Sequence, residues 1–208
     1  MLLRKKVFSD ELRIPALVEK DDRDDTSFHG LVFVGDALAT YGRLRIEQGS
    51  YQKSWVVIDR FCTLGSVSAM YTQRRKGYAN ILLNYIFAFV KNILASRQNI
   101  NIVVLQIPVR SFSLVDKFRR KGFKLVISED DYEASKSVKL PVVYFENGRP
   151  RINVTNLYFP LPGADTQQLN SDLQDIFEFT QKQIKCANDP MLASQANAMV
   201  QNNCLGVK

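Results

Sequence analysis

Apolar and polar positions follow two periods along this chain, and the places where the period changes divide it. Leu3, Val7 and Phe8 fall at helical spacing with charges between them, which predicts a first helix that ends before Pro15. Val18 to Ser27 (VEKDDRDDTS) is polar and acidic and predicts a solvated loop. Leu31 to Val34 and Leu38 to Ile46 flank Gly35-Asp36 and predict a β-hairpin. Ser54 to Thr63 (SWVVIDRFCT) is almost continuously apolar, as a central strand is. Leu64 to Gln73 fits no single period. It is an insertion or, over Gly65 to Tyr71, a further strand, and the insertion is preferred.

A long helix follows from Gly77 to about Ser96, then a buried strand over Asn101 to Val109. SFSLVDKFRRKG predicts a helix capped by Ser111 or Ser113 and stopped by Gly122. FKLVIS predicts a strand, and Ser128 to Ser137 a polar loop. Asn147-Gly148 marks a second hairpin, and Pro160 to Gly163 breaks the chain. Beyond the break, Leu169, Leu173, Ile176, Phe177 and Ile184 form one helical stripe, which either packs on its own domain, the preferred reading, or docks a partner. The Asn-, Gln- and Ala-rich end is expected to fray. This order predicts an α/β domain with a mixed sheet over residues 1–160 and a helical tail over 161–208.

Length and composition agree with that division. A chain of 208 residues with 46% hydrophobic and 24% charged residues supports one substantial core and excludes general disorder. The net charge of +7 suits an anionic partner, such as a nucleotide, a phosphorylated cofactor or RNA, or else an ordinary basic surface. Cys62, Cys186 and Cys204 are odd in number and have no CxxC spacing, which argues against a disulfide scaffold or zinc site and for a reducing, cytoplasmic setting. The first residues place charges inside their apolar run, unlike a secretory signal. The most apolar stretch, Ile81 to Val90, is about half the length that crosses a bilayer. Asp21, Asp22, Asp24 and Asp25 lack the glycine and terminal glutamate of a calcium loop, so no metal is expected.

The stretch TQRRKGYANILLNYIFAFV (Thr72 to Val90) carries the chemistry. Three cations stand at the start of a predicted helix, where unpaired backbone amides and the helix dipole already favour an anion. Gly77 lets the backbone approach a phosphate closely, and Ala79 keeps the first turn open. A Walker loop and a GxGxxG motif are both absent. The pattern present, Arg74-x-x-Gly77-x-Ala79, resembles the [Q/R]-x-x-G-x-[G/A] signature of the GNAT N-acetyltransferase superfamily. FRRKGF (Phe118 to Phe123) resembles the Y-x-K-x-G-F type helix end of that superfamily. RKKVFSDELRIP, EKDDRD, FHG, ATYGRLRI and IDRFCT resemble the N-terminal half of its short bacterial members, so the likeness covers about Leu3 to Ile127.

The resemblance implies a GNAT-like acyl-CoA N-acyltransferase fold and acetyl-CoA as acyl donor. Arg74, Arg75, Lys76, Gly77, Tyr78 and Ala79 would hold its pyrophosphate. Its pantetheine would lie between Asp59 to Thr63, which includes Cys62 and Thr63, and Val103 to Pro108. The acetyl group would pass directly to an amine of a small molecule, a protein or an aminoacyl-tRNA, and the family leaves room for a homodimer. Asp59 is the first candidate base, with a salt bridge to Arg43, Arg45 or Arg60 as its alternative role. Glu47 is a second candidate, and Tyr71 could act as acid. His29, the single histidine, more often serves structure at a strand start, and Cys62 more often fills a core.

The chain departs from the family at several points. Phe118 stands where many relatives carry a general-acid tyrosine. The usual first strand is missing, so the C-terminal hairpin or a partner must complete the sheet. Phe118 and the unassigned base also leave room for a GNAT-fold binding or scaffold protein without catalysis. LRKKVF, an acidic stretch with Glu19, Asp22 and Asp25, GRLR and DRFC resemble the acyl-homoserine-lactone synthases, although Val57 stands where those carry a glutamate.

Overall fold

A computed structural model describes residues 2–12, 14–49, 54–63, 76–94, 99–109, 111–137, 141–146 and 149–191, with positions 194, 195 and 198 beyond them. Helix α1 starts as one α-helical turn, Leu2–Arg4, and widens to π geometry over Lys5–Glu11. A short helix α2 (Ala16–Glu19) follows Pro15, which occupies its N-cap position with an extended ψ of 136°. The hairpin is β1 (Phe28–Val34) and β2 (Ala37–Gln48), and β3 is Ser54–Thr63. Helix α3 (Tyr78–Phe89) runs on into a π turn, Val90–Leu94. After it come β4 (Ile100–Pro108), α4 (Phe112–Arg119) and β5 (Lys124–Leu125). The chain closes with α5 (Glu129–Ser137), β6 (Val143–Glu146), β7 (Arg149–Ile152), β8 (Val154–Pro160) and α6 (Thr166–Asn188).

Six strands form one mixed sheet in the order β1-β2-β3-β4-β8-β5. Among the described strands only β3 and β4 are parallel, and α3 supplies the crossover that a parallel pair needs. Strand β8 runs antiparallel between β4 and β5. The C-terminal part thus extends one side of the sheet, while β1 remains the other edge. The hairpin around Asn147-Gly148 forms, as β6 and β7, but makes a separate two-stranded sheet.

One face of the sheet is apolar. Leu82, Leu83 and Ile86 of α3 pack with Val115 and Phe118 of α4 onto Leu44, Ile58, Val103, Leu105 and Leu157. Gly30 and Gly42, paired across β1 and β2, let α3 lie close: a Cβ at Gly30 would come within 2.8 Å of Leu82 Cδ1. The second face is covered in two patches. Leu3, Val7, Phe8, Ile14 and Val18 pack on Tyr41, Cys62, Val143 and Ile152, and Ile176 of α6 packs on Trp55, Val57, Ile102 and Val104. Helix α6 therefore lies on the sheet of its own domain, and of its stripe Phe177 stays exposed.

Two local expectations are corrected. Ser128 to Ser137 is helical from Glu129, because the Ser128 hydroxyl caps the Asp131 amide at 3.1 Å. The strand expected over FKLVIS shrinks to Lys124–Leu125, since only those residues meet β8 in register. Among the described residues no helix is long and apolar enough to cross a membrane.

Candidate active site

β3 and β4 pair from Ser54↔Ile100 to Ile58↔Leu105 and no further. Beyond that point each strand follows its other neighbour: β3 stays with β2 as far as Thr63↔Thr40, and β4 stays with β8 as far as Pro108↔Val154. The parallel strands therefore part like a V. A bulge helps to open it. Asp59 and Cys62 of β3 oppose Arg43 and Tyr41 of β2, so β3 carries one residue more than β2 across this interval. Arg60 absorbs the extra residue with φ 51°, in the left-handed region.

A cavity of about 700 Å³ opens from the mouth of the V. Phe61, Cys62 and Thr63 form one side and Pro108, Ser111, Ser113, Leu114, Lys117 and Phe118 the other. Gly77, Tyr78, Ala79 and Asn80 close one end, and Val7 and Phe8 of α1, with Leu12 just after it, reach over it. Gly77 sits immediately before α3 at φ 87°, and among the described residues no side chain caps the helix start. The Asn80 and Ile81 amides turn back to the Gly77 carbonyl, while the first amides of α3 have no partner within the helix. With Lys76 and Lys117 exposed beside them, this end of the cavity suits an anion and its walls suit an apolar chain.

Gly77, Tyr78, Ala79, Cys62 and Thr63 thus share one cavity, with Lys76 next to it. Tyr71, Arg74 and Arg75 lie outside the described residues, as does the whole stretch 64–75. Phe118 borders the cavity and packs edge-to-face on Phe61, 6.1 Å between centroids, with no hydroxyl to offer. Ser111 occupies the cap position of α4, but its side chain makes no capping bond. Sequence reading missed Lys117 and the roof from α1. Lys117 reads as one of several cations near the end of a helix, and the roof depends on where α1 folds back.

The expected bases do not join the cavity. Glu47 stands opposite Trp55, at the far end of β3, and pairs with Arg45. At about 3.3 Å per residue, the seven residues from Trp55 to Cys62 span roughly 20 Å, too far for proton transfer. Asp59 is buried and bound on both oxygens. Arg43 donates to it from Nε and Nη2 at 2.7 and 2.8 Å, and Arg45 donates from Nε at 3.0 Å. Burial alone would push the Asp59 carboxyl up, but the Arg45, Arg43 and Arg60 guanidiniums outweigh it and hold the carboxyl far below the usual range. A carboxylate held so acidic is a poor base, and its salt-bridge role is the one observed.

Around Asp59 lies an ionic layer on the second face of the sheet. The segment expected as a solvated loop builds half of it, because its carboxylates turn inward to guanidiniums. Arg4 donates to Asp24 at 2.6 Å, to the Tyr41 hydroxyl at 3.1 Å and also to Glu19. Arg43 also donates to Asp24 at 2.8 Å and to Asp21. Arg60 donates to Asp21 at 3.1 Å and to the Val18 carbonyl at 2.9 Å. Four guanidiniums, Arg4, Arg43, Arg45 and Arg60, thus face four carboxylates, Glu19, Asp21, Asp24 and Asp59. Asp22 and Asp25 do not take part. Asp22 meets Arg149 and Arg151 at the surface, and Asp25 is exposed.

His29 belongs to the rim of this layer. Its Nε2 lies 2.9 Å from the Asp24 carbonyl, which can only accept, so Nε2 carries the proton. Nδ1 then accepts from the Tyr41 hydroxyl at 2.6 Å. On the other side the layer continues through neutral amides. Arg45 donates to Gln106 at 2.9 Å, Gln106 to Asn156 at 3.1 Å, and Asn156 to Thr180 and Gln183 of α6.

No family model matches this chain, and no curated protein matches it by sequence. Solved structures that overlap it include Escherichia coli ElaA, with 20% identity, TM-score 0.47 and 76% of this chain against 84% of that one. Arabidopsis thaliana Naa50, in complex with a bisubstrate analogue, overlaps with 17% identity, TM-score 0.47, 77% of this chain and 92% of that one. A Lactobacillus plantarum protein provisionally assigned as an N-acetyltransferase overlaps with 22% identity, TM-score 0.47, 77% of this chain and 87% of that one. At that degree of overlap, the functional reading of this chain rests on its own strand order and cavity.

Proposed function

We propose that this chain is an acetyl-CoA-dependent N-acetyltransferase that passes the acetyl group directly to an amine. The observation that carries the reading is the parting of the parallel strands β3 and β4 beside the uncapped start of α3. The strand order, with its single parallel pair at the centre, supports a GNAT-like fold. The residues fit the donor. Gly77, Tyr78 and Ala79 offer backbone N–H groups to a pyrophosphate, and Lys76 and Lys117 add charge. The strand ends Cys62–Thr63 and Pro108 flank a slot for an extended pantetheine arm.

In the reaction the acceptor nitrogen attacks the thioester carbonyl. A C–N bond forms, the C–S bond breaks, and the thiolate leaves and takes up a proton. The chain supplies alignment and backbone donors to the carbonyl oxygen. With Asp59 and Glu47 away from the cavity and phenylalanine at position 118, water or another residue, Tyr71 among the candidates, carries the protons.

Calorimetric titration with acetyl-CoA tests the reading. The wild type should bind, and Gly77→Asp, which sets a carboxylate at the anion site, should bind at least about tenfold more weakly, about 1.4 kcal/mol. Absence of wild-type binding would remove the acetyl-CoA reading.

A second reading, an acyl-homoserine-lactone-synthase-like acyltransferase, is favoured by a different observation. LRKKVF, GRLR and DRFC, which carry that resemblance, converge in one buried layer through Arg4, Arg43, Arg45, Asp59 and Arg60, with Glu19 of the acidic stretch. A panel of acyl donors separates the two. An acetyltransferase should lose turnover as the chain lengthens, whereas a synthase-like enzyme should gain it.

A further inference from the structure

The two edges of the sheet are built differently. β5 is two residues long, carries the exposed Lys124, and offers almost nothing to another strand. β1 is seven residues long and carries no formal charge. Among the described residues it pairs with β2 alone. The extra residue of the β1–β2 bulge, Ala39, lies on β2, so the outer edge of β1 keeps a regular spacing. None of the devices that usually blunt an edge strand is present on it: no charge, no proline, no bulge.

Large apolar side chains stand exposed on both sides of this edge. Leu31 and Phe33 point to one face. Phe28 points to the other and packs edge-to-face on Phe89 of α3, 5.3 Å between centroids. On α3 and the turn after it, Ile81, Tyr85 and Ile93 stand at four-residue steps in line with Phe89, so the patch continues along the helix. Exposure runs from 41% at Ile93 to 71% at Tyr85. Taking about 150–250 Å² for a large side chain, the six expose on the order of 600 Å², approaching the ~800 Å² per partner of a standard interface before any backbone is counted.

We propose that β1 and the outer face of α3 form the interface of a two-fold homodimer in which the β1 strands of two copies pair antiparallel. Charge selects a second copy as the occupant. The chain carries +7, yet Ser27 to Val34 and Tyr78 to Val90 hold no Asp, Glu, Lys or Arg. Lys91, exposed on the turn that carries Ile93, is a charge just beyond those stretches, so two copies meeting there bring few like charges together, and an acidic or basic partner finds little to pair with. A two-fold axis through β1 is self-complementary: Leu31 and Phe33 meet their counterparts on one face, and the two α3 helices meet on the other. The two sheets then become one continuous sheet, and the β1 edge is closed.

Sedimentation velocity of the full chain over the micromolar range, with Leu31→Lys and Tyr85→Glu as variants, tests this. The wild type should sediment as a dimer. Each variant should dissociate at least about tenfold more readily, because a charge would be buried without a partner. Circular dichroism should stay unchanged. Tyr85 is so exposed that Tyr85→Glu leaves the fold intact even where Leu31→Lys does not. A wild type that stays monomeric throughout the range, or a dimer that Tyr85→Glu leaves at wild-type affinity, overturns the proposal.

Discussion

Replacing Asp59 by asparagine would leave the guanidiniums of Arg43 and Arg45 facing a neutral amide in a buried layer. Breaking one side of a buried pair costs about 3–5 kcal/mol, so Asp59→Asn should lower the urea midpoint strongly. A loss under about 1 kcal/mol, the range of exposed pairs, would mean that water already shares the layer. Gly77→Ala should also destabilise, by about 1–3 kcal/mol, because φ 87° is unfavourable for any residue with a Cβ. A thermal melt measures it. Asp59 shows what one residue does and does not disclose. A carboxylate next to Arg60, with Arg43 and Arg45 on the preceding strand, reads as base or as ion pair, and the register β2↔β3 decides between them. Gly77 was more legible, because a glycine between cations and an apolar run has few other uses.

Helix α6 ties the neutral end of the polar layer to the sheet through Gln183 and Thr180, and its start is fixed by Asp165, which accepts from the Gln168 amide at 2.8 Å. Asp165→Ala should therefore cost about 1 kcal/mol, read from chemical denaturation. Elements with a strong period were legible: the first hairpin, β3, β4 and α3 fall where the pattern of Val, Ile and Leu puts them, and Asn147-Gly148 marked the second hairpin. Two of the failures share one physical cause. In Val18 to Ser27 and Ser128 to Ser137, hydrophobicity alone marks polar residues as solvated. In the first segment Glu19 and Asp24 are buried by guanidiniums, and in the second Ser128 starts a helix with a polar outer face. Neither effect has a hydrophobic signature.

For the molecule as a whole, α6 is a wall of the core. A chain ending at Gly163 would expose Trp55, Val57, Ile102 and Val104, and it should fail to fold cooperatively, as judged by a lost near-ultraviolet signal. Acidity should act through the ionic layer. Burial works against the Asp21, Asp24 and Asp59 carboxylates, but arginine partners hold all three below their ordinary range. The stability they contribute is complete above the unfolded carboxyl pKa of about 3.9 and is lost as pH falls below it. The denaturation midpoint should stay level from neutrality to about pH 5 and drop below about pH 4. Tyr41 acts at the other end. Burial, opposed by Arg4, pushes its phenol up to about 12, so its share holds to about pH 10 and is lost in stronger alkali.

The balance inside that layer also sets how salt will act. Four cations face four anions, so the buried layer carries no net charge, and the whole +7 of the chain belongs to groups outside it. Dissolved ions screen exposed charges over about 8–10 Å at physiological strength and hardly reach buried pairs. Raising potassium chloride should therefore weaken the attraction of an anionic donor to Lys76 and Lys117 while leaving the unfolding midpoint almost in place, so that affinity and stability separate along a single salt titration.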